Sequence, residues 1–140
     1  MRIERKSYLQ ELERMRHSRF VKIITGIRRC GKSYLLFNLY NDYLLNKGVQ
    51  PSQIIKIPLD SFSLRELRQP GNLYHYINNK TKNDGMHYIM LDEIQLVENF
   101  ADVLNEFLRK DNVDIYVTGS NARLLSKDVI TEFRGRGHEI

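Results

Sequence analysis

Apolar residues along this chain switch repeatedly between the spacing of a helix and that of a buried strand. Over residues 2–17, Leu9, Leu12 and Met15 share one helical stripe that can dock on the rest of the chain. Phe20-Val-Lys-Ile-Ile-Thr25 is short, β-branched and mostly apolar, the pattern of a strand covered on both faces. A helical period returns over 33–47, with Leu35, Leu36, Leu39, Tyr40, Tyr43 and Leu44 on one face and Gly48 as the C-terminal stop. Residues 53–59 predict a second strand. Pro58 has no N–H to give a ladder, so this strand belongs at a sheet edge or ends near one.

Residues 71–80 predict a short helix and Asn83-Asp84-Gly85 a turn. A third strand, His87-Tyr-Ile-Met-Leu91, ends in Asp92-Glu93. Phe100, Val103, Leu104, Phe107 and Leu108 then repeat at i, i+3, i+4, i+7, i+8, a helical stripe. A fourth strand, Asp114-Ile-Tyr-Val-Thr118, runs into Gly119-Ser120-Asn121, followed by a short helix at 122–126. Residues 134–140 are the run-up to another strand. Strands alternating with helices predict a parallel α/β sheet with helices on both faces. There is no repeat and no low-complexity tract.

Between the first strand and the second helix lies Gly26-Ile-Arg-Arg-Cys-Gly31-Lys32-Ser33, a full match to G-x-x-x-x-G-K-[ST]. Such a loop wraps a phosphate with backbone N–H groups, and its glycines permit the close approach. The helix that begins at its end adds the positive end of a dipole. The expected nucleotide-binding residues are therefore Gly26, Ile27, Arg28, Arg29, Cys30, Gly31, Lys32 and Ser33, with the adjoining Tyr34. Lys32 would reach the β- and γ-phosphates and act in catalysis, and the Ser33 hydroxyl would take a place on Mg²⁺. Arg28 and Arg29 either add charge near the nucleotide or stand in solvent. Cys30 packs behind the loop or is partly exposed.

The third strand delivers two carboxylates at its C-terminal end, where open α/β sheets bind ligands. Asp92 is the expected Mg²⁺ ligand and Glu93 the general base for an attacking water. The bland alternative for Glu93 is a capping or solvated acid. Ser120 and Asn121 stand where a γ-phosphate or its water is expected, or cap the next helix. Arg134 and Arg136 either supply charge to a transition state, in cis or to a neighbouring subunit, or lie on the surface.

Composition narrows the field. With 41% hydrophobic and 28% charged residues, the 140-residue chain has the make-up of one soluble domain. No apolar run approaches the roughly 20 residues of a membrane span, and the first residues lack a signal-peptide core. Cys30 is the one cysteine, so no internal disulfide forms. Together these point to a cytoplasmic protein without a membrane partner. Of the formal charge of +5, residues 1–22 hold +4: Arg2, Arg5, Lys6, Arg14, Arg16, Arg19 and Lys22 against Glu4, Glu11 and Glu13. That segment reads either as a solvated helix face or as a grip on nucleic-acid phosphates. His17, His75, His87 and His138 have no metal-ligand spacing. A guanine signature is missing too, since Asn79-Lys80-Thr81 is followed by Lys82.

As an ordered set these residues resemble the AAA-like ATPase domain of a prokaryotic family in the AAA+ superfamily. In that family a C-terminal domain of unknown function follows. The resemblance runs from Tyr8-Leu-Gln-Glu-Leu12 through Ile24-Thr-Gly-Ile-Arg-Arg-Cys-Gly-Lys-Ser33, Leu91-Asp-Glu-Ile-Gln95 and Val117-Thr-Gly-Ser120 to Phe133-Arg-Gly-Arg136, nearly the whole chain. It implies a P-loop NTPase sheet in the order 5-1-4-3-2, with ATP and Mg²⁺ as ligands. It also implies a catalytic role for Arg136 and a homo-oligomer for the full-length protein. The expected organisation is a basic helix, 1–18, packed on an ATPase core, 19–140, that stops in mid-fold. The expected function is Mg-ATP binding and hydrolysis, slow in these 140 residues alone. The rivals are an ATP-dependent nucleic-acid-binding module and a slow regulatory switch.

Overall fold

The structure, a computed structural model, describes residues 2–17, 21–24, 34–119 and 137–139. Five strands form one parallel sheet: β1 (Val21–Ile24), β2 (Ile54–Pro58), β3 (His87–Asp92), β4 (Val113–Thr118) and β5 (Gly137–Glu139). Their order is β2-β3-β4-β1-β5, the 5-1-4-3-2 order that the resemblance implied. β2 is an edge strand, so Pro58 at its end interrupts no central ladder. The helices are α1 (Arg2–Met15), α2 (Leu35–Tyr40 continued by Asn41–Asn46), α3 (Pro70–Lys80) and α4 (Phe100–Phe107). A 3-10 segment at Phe62–Arg68, which the apolar spacing did not signal, joins β2 to α3.

Alternation along the strands sorts side chains into two layers. Ile23, Ile57, Leu91 and Val117 face α3 and α4, where Leu73, Ile77, Leu104 and Phe107 are all buried. Ile24, Met90 and Tyr116 face the other way, onto Leu12 of α1 and Leu36, Tyr40 and Leu44 of α2. At roughly 25 cal/mol per Å² of apolar area, these two layers supply most of the drive to fold.

α2 departs from the expected periodicity. Its first six residues form a π-helix, so the buried line runs Leu35, Leu36, Tyr40, Leu44 and rotates Leu39 and Tyr43 to half-buried positions. Its end follows the sequence expectation. Gly48 takes φ 98°, its N–H bonds the Leu45 carbonyl at 3.1 Å, and the Val49 N–H bonds that of Leu44 at 3.1 Å. That is the two-bond termination which the left-handed glycine permits.

Candidate functional site

Four adjacent strands end side by side at the carboxyl rim of the sheet. Ile24 of β1 is paired with Thr118 of β4, and Asp92 of β3 is paired with Pro58 of β2. The Gly119 N–H reaches the Ile24 carbonyl at 3.2 Å and holds the β1 and β4 ends together. The G-x-x-x-x-G-K-S segment leaves from β1 at this rim and rejoins the described chain at Tyr34, which is 49% exposed. Gly26, Ile27, Arg28, Arg29, Cys30, Gly31, Lys32 and Ser33 themselves lie outside the described residues, as do Ser120, Asn121, Arg134 and Arg136.

Asp92 and Glu93 are both described and both buried, at 3% and 9% exposure. Asp92 follows Met90 by two residues and Thr118 follows Tyr116 by two, so both side chains belong to the α2 face. There the Thr118 hydroxyl donates to Asp92 Oδ1 and accepts the Glu93 N–H at 3.0 Å. One threonine thus ties the side chain of one acid to the backbone of the next. Sequence reasoning grouped Thr118 with the small polar residues at the end of the fourth strand and gave it no role of its own. Its only signal was a hydroxyl at the last position of an apolar strand, and the β3–β4 register decides whether such a hydroxyl meets a carboxylate.

The Glu93 bond is possible because the chain turns sharply there. Glu93 takes φ 57°, ψ 54°, a left-handed conformation that is uncommon for a residue with a Cβ and costs about 1 kcal/mol or more. The 3-10 turn Ile94–Leu96 follows. It is anchored by the fully buried Ile94 and closed by the Leu96 N–H on the Glu93 carbonyl at 3.1 Å. The turn brings Gln95 back, and its Nε2 donates to Glu93 Oε1 at 2.6 Å.

A second polar cluster lies on the same face but nearer the other end of the sheet. Lys22 and Asp114, both fully buried, form an ion pair. Asp114 Oδ2 also accepts from the Tyr116 hydroxyl at 2.7 Å and from the His17 N–H at 2.9 Å. Tyr116 and Tyr40 share a hydroxyl–hydroxyl bond of 2.7 Å. Asp114 precedes Thr118 by four residues, about 13 Å along a strand, so this cluster is distinct from the rim. It corrects the reading of residues 1–22 as one basic surface. Lys22 is inside the protein and paired, because a bare ammonium there would be too costly. Burial lowers its pKa against the opposing pull of Asp114. Arg14 and Arg16 each pair with a glutamate three residues earlier.

Among the described residues, no group of three or more His, Cys, Asp or Glu is placed to hold a metal, and no helix is long and apolar enough to cross a membrane.

A parallel sheet in the order β2-β3-β4-β1-β5 with helices on both faces is the α/β fold of AAA+ P-loop NTPases. The chain belongs to the family described as AAA domain, whose model matches residues 18–140. An uncharacterized protein of Haemophilus influenzae is 37% identical over 139 residues, 99% of this chain and 34% of that protein. The chain spans between about a quarter and a third of the length of the curated relatives it matches. Among solved structures, PCH-2 of C. elegans superposes with a TM-score of 0.64 at 18% identity, over 96% of this chain and 40% of that one. Drosophila ORC bound to DNA superposes with 0.63 at 11% identity, over 98% and 88%. At such identities the likeness concerns the fold alone.

Proposed function

We propose that this chain binds Mg-ATP through residues 26–33 and hydrolyses it, with Glu93 as the general base. The observation that carries this is the Asp92–Thr118–Glu93 unit. Two adjacent buried acids stand at the carboxyl rim, with Thr118 tying the Asp92 carboxylate to the Glu93 backbone N–H, beside the strand end from which the G-x-x-x-x-G-K-S segment departs. Gly31, Lys32 and Ser33 would cradle the β- and γ-phosphates, with Lys32 the cation among them. Asp92 offers a hard oxygen donor of the kind Mg²⁺ accepts alongside phosphate oxygens, and with Ser33 it would hold that ion. When bound, Mg²⁺ would neutralise charge on the β- and γ-phosphate oxygens.

Glu93 would take a proton from water as the water oxygen forms its bond to the γ-phosphorus. The bond from that phosphorus to the β–γ bridging oxygen breaks, and ADP leaves with the electron pair. Ser120 or Asn121 would contact the γ-phosphate side, and Arg136 would add charge in the transition state, in cis or from a second copy. The nucleic-acid reading loses ground, because the removal of Lys22 leaves six basic residues against three acidic ones in the N-terminal segment.

The test is Glu93→Gln, with paired measurements of Mg-ATP affinity and single-turnover hydrolysis. Affinity should stay within about twofold while hydrolysis falls by roughly 10²-fold or more, the size expected for a lost general base. Parental turnover in this variant would remove Glu93 as the base.

A further inference from the structure

Gln95 makes a contact that the roles assigned so far leave unused. A carboxylate can only accept hydrogen bonds, so the 2.6 Å contact with Glu93 Oε1 fixes which end of the Gln95 amide faces it: the NH₂. The carbonyl Oε1 is thereby turned elsewhere. It is buried and has no hydrogen-bond partner among the described residues. Buried side-chain acceptors are normally satisfied, and one left open beside a carboxylate asks for a donor.

The backbone allows little slack. Thr118 pins the Glu93 N–H, the Leu96 N–H closes onto the Glu93 carbonyl, and the Val97 N–H closes onto Ile94 at 3.0 Å. Gln95 is thus carried on a short, closed turn whose neighbour Ile94 is sealed in the core. A water molecule has two hydrogens to donate and suits such a pair of acceptors.

We propose that Gln95 is a positioning residue for hydrolysis: its amide N–H₂ fixes the Glu93 carboxylate, and its Oε1 accepts one hydrogen of the attacking water. The other hydrogen goes to Glu93 as the water oxygen bonds to the γ-phosphorus and ADP departs. Gln95 neither gains nor loses a proton. The inference rests on the ATPase reading above and adds an orienting partner to its base.

The experiment compares the parent, Gln95→Met, Glu93→Gln and the double variant. Gln95→Met keeps the length of the side chain and removes both amide groups. Mg-ATP affinity, single-turnover rate and melting temperature are measured for each. Gln95→Met should leave affinity within about twofold and melting unchanged while slowing turnover by about 10- to 10²-fold, the scale of a misplaced reacting group. The double variant should be no slower than Glu93→Gln alone, because the two residues act as one unit.

Parental turnover in Gln95→Met overturns the inference. So do losses that multiply in the double variant, and so does a parallel fall in affinity and melting temperature. Should Gln95→Met fail to fold, Gln95→Ala carries the same comparison. If Glu93→Gln itself turns over like the parent, or the parent does not hydrolyse ATP, the base reading fails and this inference fails with it. If only Gln95→Met is unaffected, the base reading stands alone.

Discussion

At Thr118 a single hydroxyl serves as donor to Asp92 and acceptor for the Glu93 N–H, with all three residues buried. Thr118→Val keeps the shape of the side chain and strands both partners. The expected loss is about 1–3 kcal/mol of folding free energy, the cost of leaving buried polar groups unsatisfied. Thr118→Ser, which keeps the hydroxyl, should lose less than half of that. Urea denaturation of the three proteins checks it, and equal midpoints would show that the hydroxyl is not needed to hold the acids. This residue also marks where the sequence stopped being informative. Asp92 and Glu93 stand next to each other at the end of an apolar run and could be singled out from the chain alone. Thr118 and Gln95 act through contacts set by strand register and by one left-handed residue, and no local spacing encodes either.

Among the elements, β1 and β4 show what periodicity conveys and what it hides. Both were expected as strands, β1 as one covered on both faces, and both are buried along their whole length. Hidden was the reason each carries one charge: Lys22 and Asp114 meet inside the sheet and neutralise each other. Removing one partner leaves the other buried without its opposing charge. Asp114→Leu should therefore destabilise by about 3–5 kcal/mol, while Lys22→Met/Asp114→Leu should recover the part due to the uncompensated ammonium but not the part due to the Tyr116 hydroxyl and His17 N–H, which still lack their acceptor. Thermal or urea melts of the two variants decide the matter, and a double variant as unstable as the single would show that the pair is worth more than apolar packing. α4 was legible for the opposite reason. Its strict i, i+3, i+4 stripe has one interpretation, and Phe100, Val103, Leu104 and Phe107 are all buried. α2 was legible in extent but not in winding, because six residues of π-helix re-aim Leu39 and Tyr43.

Across the whole molecule, α1, α2 and the sheet are joined by a chain of hydroxyls with one carboxylate at its centre. His17 at the end of α1 bonds Asp114 through its N–H and the Tyr88 hydroxyl through Nε2 at 2.7 Å. Tyr116 bonds Asp114, and Tyr40 of α2 bonds Tyr116. Burial is the largest cause raising the pKa values of Tyr40, Tyr88 and Tyr116, and the Asp114 charge raises them further. An unfolded tyrosine ionises near pH 10, roughly its model-peptide value. The folded protein therefore keeps protons at these sites that the unfolded chain has released. Above about pH 10 the unfolded state binds fewer protons than the native state, so stability falls as pH rises. Below that pH the contribution is fully present. Each such tyrosine steepens the fall by about 1.4 kcal/mol per pH unit until its folded value is reached. Lys22, lowered by burial, contributes with the opposite sign up to its own unfolded value, so a single protein does not isolate the tyrosines. The comparison between the parent and Tyr40→Phe does, because Lys22 is common to both. Urea melts between pH 9.5 and 11.5 should give a shallower decline for Tyr40→Phe, and tyrosinate absorbance of the native parent should show fewer than its eight tyrosines titrating near pH 10. Identical slopes, with all eight ionising together, would mean that the hydroxyl chain is open to solvent and does not join the two helices to the sheet.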